Sequence, residues 1–294
     1  MAEQSLSDSR PIGADTRRKR VWRDARRAGA HVLLIALSLL FALPFVWLVS
    51  TSLKPTEQLF RLPLEWIPRP FTWSNYPQAL TYIPFFLYLR NTLYIALFNV
   101  AGTLISCSLV AYGFARIRWP GRNALFFVLI ATLMIPYQVT LIPTFLIFRQ
   151  IGWVGSFNAL TWPSLTGSAF FIFLLRQFYL TIPQELSAAA KIDGASEFQI
   201  YRRIILPLSK PALAAVALFT FNANWNDLLG PLIYLNDESH YTLALGLYGF
   251  LSRVRTEWGM LMAASTVMVT PIIVLFFLTQ RTFIQGITLT GIKG

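Results

Sequence analysis

The chain has 294 residues, 55% of them hydrophobic and 13% charged, with a mean hydropathy of +0.54 and a net charge of +12. Soluble domains carry about 25% charged residues, so a water-soluble fold of this size and intrinsic disorder are both excluded, and a multi-spanning membrane protein remains. One cysteine, Cys107, and two histidines, His31 and His240, exclude a disulfide framework and a multi-cysteine metal centre, and no metal site is expected.

Residues 1–30 read as a polar, basic cytoplasmic tail, disordered at its start, with Arg17, Arg18, Lys19, Arg20, Arg23, Arg26 and Arg27 closely spaced. Basic clusters beside a first span mark the cytoplasmic side and attract anionic lipid, at about 1 kcal/mol per residue. The cluster is read in that way and not as a nucleic-acid site.

A helix crosses the ~30 Å hydrocarbon core in about 20 residues. Residues 31–50 form the first such run. It is too long for a signal peptide, and no small-x-small cleavage site follows, so it reads as a retained anchor. Residues 91–115 and 123–148 give the second and third spans. The fourth lies within 151–175, beginning after a turn at Gly152 and Gly155. The fifth covers 211–226 and resumes at 228–235 after a polar interruption, and the sixth covers 258–280. The fold class is all-α, with a six-span domain over 31–281 and a cytoplasmic tail from 282 to 294. The ten-residue alternating segments of an outer-membrane barrel are not seen.

Proline interrupts several spans: Pro44, Pro136, Pro143, Pro163 and Pro271. In lipid a freed carbonyl needs another partner, supplied by a neighbouring helix or a wet cavity. For the third span, where Tyr137, Gln138 and Thr140 lie between two prolines, a cavity lining and a purely structural kink both stand. The single prolines elsewhere read as structural. Gly102 and Ser106 form a small-xxx-small pair that lets two helices approach closely, and Cys107 beside them reads as a small buried filler.

With six spans, eighteen lysines and arginines fall on the side of the N-terminus and seven on the other. The positive-inside rule then puts both termini in the cytoplasm, with Trp66 and His240 outside.

The cytoplasmic segment 181–207 is the most structured connection. Thr181 and Gln184, with Pro183 between, predict a capping box and a helix to Asp193. Gly194 predicts a left-handed cap. Ser196 and Gln199 predict a second capping box, and Pro207 is expected to end the second helix by moving Leu206 out of the helical region. Leu186, Ala189 and Ala190 share one face of the first helix, and Phe198, Tyr201 and Ile205 one face of the second. Such a face packs on the protein's own helix ends or docks into a groove on a soluble partner, and periodicity leaves both open.

Ala189-Ala190, three residues, Gly194, nine residues, Ile204, one residue, Leu206-Pro207 resembles the coupling-loop signature of bacterial ABC importer permeases. The likeness is to the maltose-type carbohydrate importers, their second permease subunit in particular. It includes Ser52-Leu53-Lys54-Pro55, Asn75-Tyr76, Asn91-Thr92, Ala111-Tyr112-Gly113-Phe114-Ala115-Arg116 with Pro120-Gly121-Arg122, Trp225-Asn226-Asp227 and Gly291-Ile292-Lys293-Gly294. It runs from about residue 50 to the last residue.

The resemblance implies a binding-protein-dependent permease of the bacterial inner membrane. It implies a heterodimer with a second permease, two cytoplasmic ATPase subunits and an extracytoplasmic sugar-binding protein. It places ATPase coupling on Glu185, Ala189, Ala190, Asp193, Gly194, Phe198, Tyr201 and Pro207, and a tail contact on Lys293 and Gly294. The chain has no G-x-x-x-x-G-K-S/T phosphate loop. By this reading it is not an enzyme, it needs no cofactor, and ATP is bound by the partner ATPase. One position departs from the family pattern: Ala188 stands where a glutamate is usual, with Glu185 one turn earlier.

Substrate-pathway candidates are Tyr137, Gln138, Asn224, Trp225, Asn226 and Asp227, since an acid within a span is a functional candidate by default. Asp227 also reads as a helix-end residue. By resemblance, sugar contacts can fall mainly on the partner permease, and the loop 236–257 faces the binding protein. An ion-coupled secondary transporter is the alternative, but it calls for buried acids and inverted repeats, and only Asp227 qualifies. An intramembrane hydrolase would show G-x-S-x-G or H-E-x-x-H, and neither is present.

Overall fold

The computed structural model describes residues 12–251 and 257–291, with side chains placed for 22–251 and 257–280. The first helix, α1, runs Ile12–Ser52. It overruns the expected span because residues 12–30 are rich in arginine and alanine, which favour helix, and contain no proline. The basic segment is therefore helical from Ile12 rather than a tail up to residue 30, and the disorder expected at its start falls outside the described residues. Pro44 lies inside α1.

The chain then folds back on the end of α1. The amide of Asn75, in α2 (Asn75–Tyr82), donates to the Ser52 carbonyl at 2.9 Å and the Lys54 carbonyl at 3.1 Å. The Ser52 and Tyr76 hydroxyls are 2.8 Å apart. Two motifs more than twenty residues apart thus form one knot. Lys54 is buried there, its ammonium 3.9 Å from the centre of the Trp47 ring. Burial pushes this ammonium below its ordinary pKa, and Glu65 opposes the shift.

Helix α3 (Phe85–Ala115) is the central span, and it packs against α7 and α11, defined below. The third span is broken. Helix α4 (Arg122–Ala131) continues as a 3₁₀ turn, Thr132–Met134, and α5 (Tyr137–Gln150) follows at 98° to it. The break falls at Ile135, which is extended (φ −86°, ψ 113°) because Pro136 follows it. Pro143 stays inside α5.

The fourth span runs Asn158–Thr181, from a short α6 (Asn158–Thr161) through a 3₁₀ turn (Trp162–Thr166) that contains Pro163 to α7 (Ala169–Thr181). It starts after the turn at Gly152 and Gly155, as expected, and ends later than expected. The connection between the fourth and fifth spans holds α8 (Gln184–Ile192), α9 (Glu197–Ile200), a π turn (Tyr201–Ile205) and α10 (Leu206–Leu208). The fifth span is α11 (Lys210–Trp225). Its expected continuation is a separate element, α12 (Leu229–Tyr234), packed on α6. Beyond it come α13 (Leu243–Tyr248) and α14 (Trp258–Gly291). Helix α14 passes residue 282, so the expected C-terminal tail is helical up to Gly291, and Lys293 and Gly294 lie outside the described residues.

Among the described residues four helices are long and apolar enough to cross a membrane, and up to six spans result when each bent pair counts as one. Every regular element among the described residues is a helix. One apolar core joins α3, α7, α9, the π turn and α11, and the other joins α2, α3, α13, α14 and, through Trp225, the end of α11. Helices α3 and α11 therefore belong to both.

Gly102 marks the tightest approach. A Cβ there would collide with the Ser164 hydroxyl. The Ser106 hydroxyl donates to the Gly102 carbonyl at 2.7 Å and to the Ser164 carbonyl at 2.9 Å, which binds α3 to the 3₁₀ turn. Gly102→Leu should separate the two segments and destabilise the protein by about 1–3 kcal/mol. The check is the melting temperature of the detergent-solubilised protein, with Gly113→Leu, where a Cβ meets open space, as control.

Candidate coupling site

The site is built on the turn between α8 and α9. The N–H of Ala195 donates to the Ala190 carbonyl at 2.9 Å and that of Gly194 to the Lys191 carbonyl at 3.0 Å. This pair of bonds is a Schellman motif. It requires a left-handed residue, and Gly194 has φ +81°. The spacing from Ala190 to Gly194 is therefore the arithmetic of a helix end. On the far side, the Ser196 hydroxyl accepts from the Gln199 N–H at 3.3 Å and the Gln199 side chain accepts from the Ser196 N–H at 2.8 Å, a complete capping box.

Two expectations are corrected. The Thr181–Gln184 capping box does not form. Helix α7 runs through Thr181, whose hydroxyl donates to the Phe178 carbonyl at 2.7 Å, and Pro183 takes the N-cap position of α8 without a side-chain bond. Nor does Pro207 end the second helix. Leu206 stays helical (φ −58°, ψ −47°), because the wide π turn before it moves aside the carbonyl that the proline ring would strike. The chain turns at Ser209 instead, with a bend of 77° before α11.

The loop is held by one stripe of α3. Ser108, Tyr112 and Arg116 are spaced four apart and share a face. The Ser108 hydroxyl is 2.7 Å from the Tyr201 hydroxyl. The Tyr112 hydroxyl donates to the Glu197 carboxylate at 2.6 Å, and its ring lies 5.3 Å from that of Tyr201. Arg116 donates to the carbonyls of Ile182 at 2.9 Å and Pro183 at 3.1 Å. Glu197 also pairs with Lys191 at 2.5 Å, bridging the glycine turn. A cleft of about 590 Å³ opens between α3 and α8, lined by Arg116, Arg118, Glu185, Ala188, Lys191 and Glu197 among others. Burial pushes the Arg116 guanidinium below its usual pKa, while Tyr112 and Glu185 oppose the shift.

Residues 102–289 match the family of binding-protein-dependent transport system inner membrane components. The chain is 32% identical over 271 residues to the arabinooligosaccharides transport system permease protein of Bacillus subtilis, covering 91% of this chain and 96% of that one. It is 36% identical over 266 residues to the sn-glycerol-3-phosphate transport system permease protein of Yersinia enterocolitica, covering 87% and 94%. Its fold matches a chain of a bacterial ABC transporter involved in the import of the acidic polysaccharide alginate, with a TM-score of 0.79 at 22% identity, over 96% of this chain and all of that one. The chain belongs to the binding-protein-dependent permease family. It is a multi-pass inner-membrane component of a transport system, not an enzyme.

In this permease the two candidate faces of the loop divide. Tyr201 and Ile205 are buried in the core, with Ile200 beside them. Glu185, Leu186, Ala188, Ala189, Asp193, Gly194 and Pro207 are exposed, and Ala190 is half-buried. Ile192 is 87% exposed, whereas Phe198, though 63% exposed, lies with its ring 6.1 Å from that of Tyr201 and lines an apolar groove with Leu104, Ile105, Leu109 and Leu213. Of the alternatives that periodicity left open, packing on the protein's own helices is seen for Tyr201 and Ile205. Periodicity missed Ile192, and it missed the stripe on α3. The i, i+4, i+8 spacing of three polar residues in an apolar span was the available signal.

The pathway candidates separate as well. Trp225 is only 2% exposed, and its indole N–H donates to the Met268 carbonyl at 3.1 Å, so its ring belongs to the core and offers no open face to a solute. Asn224 is held by Asn99 and by the Thr220 carbonyl. The Asp227 carboxylate accepts the Gly230 N–H at 3.1 Å, at the start of α12. Tyr137, Gln138 and Asn226 are exposed, and Tyr137 lies within electrostatic reach of Asp227 and Tyr234. Asn91 and Thr92 lie elsewhere. Asn91 donates to the carbonyls of Ser239 (2.8 Å) and Tyr241 (3.0 Å), and Thr92 accepts from the Leu243 N–H at 2.8 Å. They position the connection between α12 and α13.

Arg116→Leu should free the start of α8 while leaving its cap at Gly194 in place. Amide hydrogen exchange over 184–192 should rise about tenfold, the effect of losing hydrogen bonds from a charged donor. Exchange in the buried part of α3 should stay at its wild-type rate.

Proposed function

We propose that this chain is the permease subunit of an ATP-driven importer for a carbohydrate or a related polyhydroxy solute. It pairs with a second, similar permease. Two cytoplasmic ATPase subunits dock on the loops of the pair, and an extracytoplasmic binding protein delivers the solute near residues 236–257. The observation that carries this reading is the loop itself. A glycine turn locked by backbone bonds holds α8 with Leu186 and Ile192 exposed, which is how a docking element meets a groove on a partner. Glu185, Ala189, Ala190, Asp193, Gly194 and Phe198 are its contact surface, and Tyr201 and Pro207 seat it. Lys293 and Gly294 reach the same ATPase interface.

The solute class follows the relatives named for arabinooligosaccharides and sn-glycerol-3-phosphate. Its path runs past the exposed Tyr137, Gln138 and Asn226. An ion-coupled transporter is less well supported, because the Asp227 carboxylate is engaged with the backbone of α12.

Both termini are cytoplasmic in this reading, which rests on the eighteen-to-seven basic asymmetry. Glu238→Cys should react with an impermeant thiol reagent added outside. Cys107 is fully buried and gives no background. Labelling only from the cytoplasmic side would overturn the orientation.

An ATPase subunit should co-purify with the detergent-solubilised permease. At Gly194, a side chain with a β-carbon costs about 1–2 kcal/mol in the left-handed conformation, and a Cβ there meets no neighbour. Gly194→Val should therefore insert normally but retain the ATPase poorly. Gly194→Asn, which tolerates that conformation, should retain most of it. Equal retention by Val and wild type would remove the rigid turn from the docking element.

A further inference from the structure

The loop has two connections to the membrane core. The covalent one runs through the π turn and α10 into α11, and it bends by 77° at Ser209. A π turn followed by a sharp bend is a compliant joint. The other connection is non-covalent and leads to α3. It consists of Tyr112 on Glu197, Ser108 on Tyr201 and Arg116 on the carbonyls that precede α8.

Glu197 is the node of the second connection. One carboxylate oxygen takes the Lys191 ammonium from α8, across the glycine turn, and the other takes the Tyr112 hydroxyl from α3. A displacement of α8 therefore reaches Glu197 directly through Lys191, and α3 directly through Tyr112. Helix α3 packs on both α7 and α11 and belongs to both apolar cores, so a movement of its cytoplasmic end is felt across the bundle. The Tyr112 side chain is 5% exposed, and its hydroxyl also lies 3.2 Å from the Glu197 carbonyl, so its aim is fixed by packing.

We infer that Tyr112 and Glu197 are positioning residues for coupling, and that motion of the docked loop enters the membrane through the Tyr112–Glu197–Lys191 relay to α3 rather than along the chain into α11. This rests on the proposed docking of an ATPase on the loop. Tyr112 is buried, whereas Lys191 and Glu197 are about half exposed, so retention of the ATPase is measured separately from coupling.

The test uses the assembled transporter, with its ATPase subunits and binding protein, in proteoliposomes. The readout is solute moved per ATP hydrolysed, measured on complexes that retain the ATPase. Maltose, an arabinooligosaccharide and glycerol 3-phosphate are the solute probes, with the one that wild type transports carried forward. Tyr112→Phe keeps the ring on Tyr201 and removes only the hydroxyl. It should retain the ATPase and move about tenfold less solute per ATP, the effect of losing one hydrogen bond to a charged acceptor. Glu197→Ala should match it, and so should Glu197→Gln, because an amide keeps one acceptor oxygen and cannot serve both the Tyr112 hydroxyl and the Lys191 ammonium.

A wild-type ratio in Tyr112→Phe overturns the inference. So does a variant that loses the ATPase while its remaining assembled fraction couples normally, since that is a purely structural role. A wild-type ratio in Glu197→Gln also overturns it, because coupling would then not need both carboxylate oxygens. Failure of an ATPase to co-purify with wild type would defeat the docking proposal instead and is read separately.

Discussion

In hydrocarbon every backbone N–H and C=O must find a partner inside the protein, and α3 is where this permease supplies many of them. The neighbours of α3 are irregular at several points, and polar side chains on α3 reach those points. Asn91 takes up the carbonyls of Ser239 and Tyr241, Asn99 that of Leu160, Ser106 that of Ser164, and Arg116 those of Ile182 and Pro183. Thr92 and Cys107 do the complementary work by accepting the N–H groups of Leu243 and Ser168. The helix is a regular rod with its own bonds made, so these side chains are free to serve others. The broken fourth span, the connection between α12 and α13 and the loop between the fourth and fifth spans are each held through α3.

That arrangement explains which parts of the fold were legible in the sequence. Composition and run length identify the spans, because lipid imposes a minimum length on any apolar helix. The Schellman turn at Gly194 and the capping box at Ser196 were also legible, since both are local and depend on residues within six positions. The errors came where a distant or intermediate structure intervened. Thr181 has the right neighbour for a cap, but α7 had not ended when the chain reached it. Leu206 precedes a proline, but a π turn made room for the ring. Trp225 sits in a motif with two polar residues, and only the packing of α14 shows that its N–H is committed to Met268.

The loop combines weak and strong elements in a definite order. The Lys191–Glu197 pair is about half exposed on both sides, and an exposed pair of that kind contributes about 0–1 kcal/mol. It cannot hold the loop in place by itself. The buried side does that, through Ile200, Tyr201 and Ile205 in the core. The exposed side then carries Leu186 and Ile192 at no conformational risk, because the helix that bears them is fixed by its C-terminal cap and by Arg116. An apolar residue presented on a rigid element loses little entropy when it is covered, which is the general advantage of preorganised contacts.

The substitution at Ala188 changes the electrostatics of the cleft beside this surface. The lining side chains include three bases, Arg116, Arg118 and Lys191, and two acids, Glu185 and Glu197. Glu197 is already engaged by Lys191 and Tyr112. Glu185 is exposed at the start of α8. A glutamate at 188 would have balanced the cleft, whereas alanine leaves it with an excess of positive charge around Arg118. Association with a surface of complementary sign is favoured in rate and register more than in strength. With alanine at 188 the cleft is net positive where a glutamate would have made it neutral, so an acid is the side chain whose approach it favours. The exposed Ile192, on the same helix, is untouched by that difference.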